Sequence, residues 1–293
     1  MSGHRHTLKN KSKTERNNST LRRSKIYYNP SEKELVEFDK YFFGEKHINK
    51  SYLPGFVDDT FRNIGLDNIY ISDYLRSGEA IVFDRWLNIQ INIAESIKQL
   101  HSRDLVCVSL QNSDILINKG DGRVRIADYG RFCNLRNLSI SCIDIPYLYR
   151  LDNYSPEMGY LGGLVLGLDI GKIVSDICEK PIIDRICNLY PSVINAEDEM
   201  NLFAKLNKMP VDIVDFVKKY SKATDMWAVG VVLLKMYLYI ITDTRITRSG
   251  FFIKNHRSQM GVFKGLLRID PRFRYTVDDL LRELYTLRIE NVP

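Results

Sequence analysis

The chain has 293 residues, 44% of them hydrophobic and 27% charged, which is long and apolar enough to bury a sizeable core. Its formal charge of +6 belongs to the first 25 residues, where eight basic side chains face one acid (Glu15), so the rest of the chain is close to neutral at −1. Five cysteines without a C-x-x-C pair argue against a zinc site and read as free thiols of a reducing, intracellular compartment, cytoplasmic or nuclear. The longest apolar run, from Trp227 to Ile241, is broken by Lys235 and reads as too short for a membrane span.

In chain order, residues 1–25 are basic and poor in apolar side chains, the composition of a disordered tail. Such a tail suits a nucleic acid, an acidic partner or a nuclear address, or simply a solvated terminus. Ser24, after Arg22-Arg23, is a candidate phosphoacceptor for a basophilic kinase. Ser31 to Phe43 has a capping box (Ser31-Glu32-Lys33-Glu34) and an apolar face of Leu35, Phe38 and Phe42, so a helix is expected there. Ala80 to Ser102 carries Trp86, Ile89, Ile93, Ile97 and Leu100 at helical spacing. After it come the apolar pair Leu105-Val106, a polar loop over 107–114, a β-rich ladder (Ile115-Leu116-Ile117, Val124-Arg125-Ile126) and Asp128-Tyr129-Gly130. Helical periods return in Ile170-Ile173-Val174-Ile177 and Ile182-Ile183-Ile186-Leu189. Another helix is expected over Thr224-Asp225-Met226-Trp227-Ala228-Val229-Gly230-Val231-Val232-Leu233-Leu234.

Three stretches together resemble the protein kinase superfamily. Residues 99–130 are laid out like the catalytic loop and its following ladder, which in active members read H-R-D-[IL]-K-x-x-N and D-F-G. The D-x-W-x-x-G pattern over 225–230 resembles the central helix of the kinase C-lobe. Leu267-Arg268-Ile269-Asp270-Pro271-Arg272-Phe273-Arg274-Tyr275-Thr276 resembles the L-x-x-D-P-x-x-R-x-T signature. The similarity covers about residues 66–150 and 209–290. It implies an α+β fold: a mostly helical, protein-kinase-like C-lobe (76–293) with a helical insert at about 159–208, behind a truncated small β-containing N-lobe (26–75). Within that N-lobe, Asn68 to Leu75 resembles the last strand running into the hinge.

The resemblance keeps the scaffold letters and loses the chemical ones. Carried over by position, Ser109 stands where the general base belongs, Val108 replaces the Arg before it, Cys107 the His and Gln111 the Lys. An unassisted serine hydroxyl is no base near neutral pH. Asp114 occupies the place of the metal-binding Asn, and Asp128 matches the D-F-G Asp, so these two are the candidate Mg²⁺ ligands. His101-Ser102-Arg103-Asp104 imitates the catalytic triplet but comes too early; His101 reads instead as the end of a helix. Before residue 75 no G-x-G-x-x-G is present, since Gly3, Gly44, Gly55 and Gly65 are isolated. Lys40, Lys46 and Lys50 lack a β-strand context. No cofactor is expected, beyond weak, Mg²⁺-dependent ATP binding. The resemblance therefore implies a pseudokinase, a binding or regulatory scaffold for a protein partner such as another kinase or a kinase substrate. A divergent active Ser/Thr kinase, with Asp104 or Asp114 as base, and a nucleic-acid-binding protein working through its tail are the alternatives.

By the same resemblance Asp225 holds the catalytic-loop backbone, Trp227 packs beneath it, and Arg274 pairs with the Glu of an A-P-E motif. Two segments compete for that Glu. Ser155-Pro156-Glu157 has the right letters, but it lies far before Asp225. Met209-Pro210-Val211 lies at nearly the right distance, with Val211 in place of the Glu. Spacing favours Val211, which would leave Arg274 to find another acceptor.

Overall fold

A computed structural model of the chain describes residues 68–76, 81–107, 110–111, 114–120, 122–126, 133–138, 154–189, 195–207, 212–242 and 250–290. The basic tail, the expected helix over 31–43, and Val108, Ser109, Asp128, Cys142 and Val211 lie outside these residues. The described chain is mostly helical with two small sheets, in keeping with an α+β class.

The first strand, β1 (Asn68–Tyr70), runs directly into helix α1 (Ile71–Arg76). The resemblance takes Asn68 to Leu75 as a strand running into the hinge, and the strand itself covers only the first three residues. It ends early because Ile71, Tyr74 and Leu75, at i, i+3 and i+4, bury together in the core, an arrangement that only a helix gives. Residues 68–75 thus share one hydrophobic core with the helices that follow. Helix α2 (Phe83–Ser102) begins three residues later than its apolar pattern suggests and buries Trp86, Ile89, Ile93, Ile97 and Leu100. Then come β2 (Leu105–Val106), β3 (Ile115–Asn118), β4 (Val124–Ile126) and β5 (Cys133–Asn134). One antiparallel sheet has the order β1-β3-β4, with Ile69 opposite Ile117 and Ile117 opposite Val124. The other pairs β2 with β5, Val106 facing Cys133.

The remainder is helical: α3 (Pro156–Val165), α4 (Ile170–Cys178), α5 (Pro181–Leu189), α6 (Ala196–Leu206), α7 (Ile213–Thr242), α8 (Gly250–Leu266) and α9 (Val277–Glu290). The described residues of the stretch 159–208 are therefore mostly helical, in keeping with its periodicity, with Ile173, Val174, Ile177, Ile182, Ile183 and Ile186 all buried. An aromatic cluster ties it to the rest. Phe203 of α6 meets Tyr160 of α3 at 5.6 Å between ring centroids, and meets Phe216 and Tyr220 of α7 at 6.1 and 5.3 Å, all edge to face.

Helix α7 has 30 residues, about twice the apolar run read from the sequence, and rises through the centre of the fold over about 45 Å. By length and composition its segment Ile213–Ile241 could cross a membrane, so the expectation of too short a run does not hold for the helix as folded. Its most apolar window is 78% buried inside the protein, which accounts for that composition without a bilayer. Gly230 lets α8 approach it: a Cβ there would lie 2.8 Å from Leu267 Cδ2 and 2.9 Å from Leu266 Cβ. Deep between α2 and α8, Gln90 and Gln259 exchange side-chain hydrogen bonds at 2.8 and 2.9 Å. Trp86 Nε1 donates to Gln259 Oε1 at 3.0 Å, so these buried polar groups are satisfied.

Candidate functional site

The site in question is the loop after α2, and its backbone is held from below by α7. Asp225 is fully buried, and its two carboxylate oxygens lie 3.1 and 3.0 Å from the backbone N–H of Cys107, which they accept. His101, in the last turn of α2, places Nε2 3.0 Å from Asp225 Oδ2. A carboxylate only accepts, so this nitrogen carries the proton. Three elements, α2, the loop and α7, thereby meet at one buried carboxylate. Sequence reasoning gave His101 the end of a helix, which it occupies, but missed Asp225 as its partner. The two residues are 124 positions apart, and no local spacing signals such a pair.

Asp104 closes α2 in the left-handed region (φ 57°), where Asp is among the few side chains tolerated. Its carboxylate accepts from Arg136 Nε at 2.9 Å and from Lys222 Nζ at 3.3 Å, and Lys222 also donates to the His101 carbonyl at 3.0 Å. The bonds from Arg136 and then Lys222 hold the Asp104 carboxyl below its ordinary range. It is an anchoring ion, not one poised to take a proton.

Asp114 is buried, with 3% of its surface exposed, and Oδ2 accepts the Gln111 N–H at 2.8 Å. The Asp114 N–H in turn donates to the Gln111 carbonyl at 2.9 Å, so the two bonds tie residue 114 reciprocally to residue 111. Among the described residues no group of three or more His, Cys, Asp or Glu side chains is arranged to hold a metal ion. Asp114 spends one carboxylate oxygen on its own loop, and Asp128, the other expected Mg²⁺ ligand, lies outside the described residues.

The competition for Arg274 is decided against the spacing. Glu157 and Arg274 form a bidentate pair, Nη1 to Oε1 at 2.7 Å and Nη2 to Oε2 at 2.9 Å, with both side chains fully buried. The preference for Val211 is therefore wrong. Counting residues back from Asp225 fails because α3 to α6 fold away as helices and leave Ser155-Pro156-Glu157 beside the start of the D-x-W segment. Thr224 Oγ1 donates to Glu157 Oε1 at 2.8 Å, and Ser155 Oγ lies 3.4 Å from Thr224 Oγ1. Arg274 gives its remaining donors to carbonyls: Nη1 to Ala223 at 2.7 Å, and Nε and Nη2 to Arg268 at 3.0 and 2.9 Å. All five guanidinium N–H groups are used. The guanidinium carbon also stands 5.1 Å from the Trp227 ring centroid, a cation–π contact, while the buried indole Nε1 has no hydrogen-bond partner among the described residues.

Of the nine residues singled out from the sequence, the described structure thus brings Cys107 and Asp225 together, and Trp227 and Arg274. It leaves Gln111 exposed on the loop with its N–H on Asp114. The free thiols of Cys107, Cys133, Cys178 and Cys187 agree with the cysteine reading. Compared with protein-family models and with curated proteins, the chain matches none.

Proposed function

We propose that this protein is a pseudokinase, a kinase-like helical lobe that works by binding a protein partner and does not transfer phosphoryl groups. The observation that carries this reading is the contrast within one loop. Its backbone is fixed by Asp225 at Cys107, while two residues further on a serine, Ser109, stands where a catalytic carboxylate would be needed. A loop held so firmly yet without its base is a scaffold retained after its chemistry. The buried Glu157–Arg274 pair supports the same reading, because it joins the SPE and D-P-R-F-R segments as the resemblance requires.

The alternative of a divergent active kinase needs Asp104 or Asp114 as base, and the geometry argues against both. Asp104 is an ion-paired carboxylate with a lowered affinity for protons, and Asp114 is buried on its own loop. The test is phosphoryl transfer from ATP with Mg²⁺ to generic protein substrates and to the chain itself. Transfer should stay at background, and ATP should give no thermal upshift in EDTA. Robust autophosphorylation abolished by Asp128→Asn would overturn the reading.

A further inference from the structure

Helix α8 lies in a stretch that carries charge of one sign. From Thr244 to Ile269 the basic residues are Arg245, Arg248, Lys254, Arg257, Lys264 and Arg268, and there is no Asp or Glu. On α8 itself Lys254 and Arg257 are exposed and Lys264 is partly buried. At 100° per residue these three fall within about 80° of one another around the helix axis, and at 1.5 Å per residue they extend over about 15 Å along it. The residues between them on this face are small. Ser258 and Gly261 are exposed, and a Cβ built on Gly261 would meet nothing within 4 Å. Gln259, bonded to Gln90 and Trp86 of α2, lies on the opposite side of the helix, so the basic stripe is turned away from the core.

Among the described residues none of the three cations is in an ion pair or hydrogen bond. Exposed cations on α2 and α9 differ: Lys98 pairs with Asp278 at 2.8 Å and Arg282 with Asp279 at 2.5 Å. The helices packed on α8 do little to offset the stripe. Helix α7 has no acid from Met226 to Thr242. Of the four acids of α9, Asp278 and Asp279 are spent in those pairs and Glu290 ends the helix. Glu283 and Asp279 stand near the Tyr275 phenol, whose ring covers Gly265, so they belong to the Lys264 end together with Arg282. Just past α8, Glu199 is spent on Arg268 and Asp270 on Arg272. Lys254 and Arg257, three residues apart on one helix face, repel each other, and only an external anion relieves that repulsion.

The character of the face selects among anions. From Lys254 to Arg268 no large apolar side chain is exposed, which leaves a bilayer or an anchored acidic peptide nothing to seat on. No aromatic ring is exposed there to stack unpaired bases. A straight row of cations with small residues between them suits a stiff array of phosphates that approaches closely. We infer that α8 lies against the phosphate backbone of a nucleic-acid duplex through Lys254, Arg257 and Lys264, without reading its bases. This adds a partner to the proposed scaffold role and does not depend on it.

The test is fluorescence anisotropy of a short labelled DNA duplex with the full chain, between about 50 and 200 mM salt. Each phosphate contact adds about 0.9 to the slope of log affinity against log salt, so Lys254→Gln/Arg257→Gln/Lys264→Gln should lower that slope by about 2 to 3 and weaken binding by about tenfold or more. Glutamine keeps the helix propensity of these exposed positions, so melting curves should not move. Gly261→Glu sets a carboxylate in the gap while improving helix propensity, and should weaken binding without lowering the melting temperature. The basic tail is separated by Lys9→Gln/Lys11→Gln/Lys13→Gln in the full chain, on which background the α8 change should still lower the slope by the same amount. Lys205→Gln/Lys218→Gln/Lys219→Gln removes three exposed cations elsewhere and should leave affinity within about twofold. An unchanged slope in the α8 variant, or an equal loss in that control, would overturn the proposal. So would a single strand bound as tightly as the duplex with the same α8 dependence, or α8-dependent binding to phosphatidylserine vesicles in place of the duplex.

Discussion

Asp225 and Glu157 are both buried carboxylates, and each answers a different demand. Asp225 satisfies a loop N–H and an imidazole N–H that the interior would otherwise leave unpaired. Replacing it by Ala should cost on the order of 1–3 kcal/mol in a denaturant titration, the usual penalty for stranding buried donors. Unchanged stability would mean that the loop is held by other contacts. Glu157 neutralises a guanidinium with no exposure to water. Arg274→Met should therefore destabilise by about 3–5 kcal/mol, because a lone buried carboxylate remains, whereas the double change Glu157→Leu/Arg274→Met should cost clearly less than the two single changes added together. A double-mutant cycle by chemical denaturation measures the difference. At this scale the letters Asp225, Trp227 and Arg274 were legible in the sequence. Their partners His101 and Thr224 were not, and Glu157 was one of two candidates, since each pairing joins segments that only the folded chain brings together.

The element that decides the architecture is α6, because its Phe203 ties the stretch 159–208, which includes most of α3, to α7. If this stretch were an appendage, truncating that side chain would loosen it alone. Since Phe203 is fully buried in the common core, Phe203→Ala should lower the stability of the whole unit by about 3–5 kcal/mol in a single cooperative transition. Two separate transitions by fluorescence and circular dichroism would show the stretch to be independent. The α7–α8 contact makes the opposite demand, for less volume: Gly230→Ala pushes a methyl against Leu266 and Leu267 and should cost about 1–3 kcal/mol despite its better helix propensity. Helical spacing revealed these elements well where apolar residues recur every three or four positions. The resemblance takes 68–75 as a strand running into the hinge, whereas Ile71 and Tyr74 bury on one helical face.

For the whole molecule, burial sets the alkaline limit of stability. It pushes the Tyr237 phenol up to about 12, and with a smaller contribution from Glu197 it pushes the Cys178 thiol up to about 11. Both groups bind their protons more tightly in the folded chain, so their contribution is complete below their ordinary values near 9 to 10. It is lost as pH rises through 11 and 12. Stability should accordingly fall between about pH 9 and pH 12, and Tyr237→Phe should flatten the upper part of that fall in urea titrations at each pH. On the acid side, Asp104 is lowered by Arg136 and Lys222, and Asp279 by the Thr276 hydroxyl and backbone N–H. Their contribution is present above the ordinary carboxylate range and is lost as pH drops through it, so Asp104→Asn should reduce the acid sensitivity.

By itself the sequence determined the α+β class, helices within 80–102, about 159–208 and 224–234, and a loop over 107–113 without a carboxylate or a basic side chain. These follow from residue type and local periodicity, which a linear chain carries in full. Only the tertiary structure decided that Glu157 meets Arg274 and that His101 shares Asp225 with the loop. Each of those depends on where helices of fixed length return the chain, and a count of residues between motifs does not measure distance once the intervening segment has folded into packed helices.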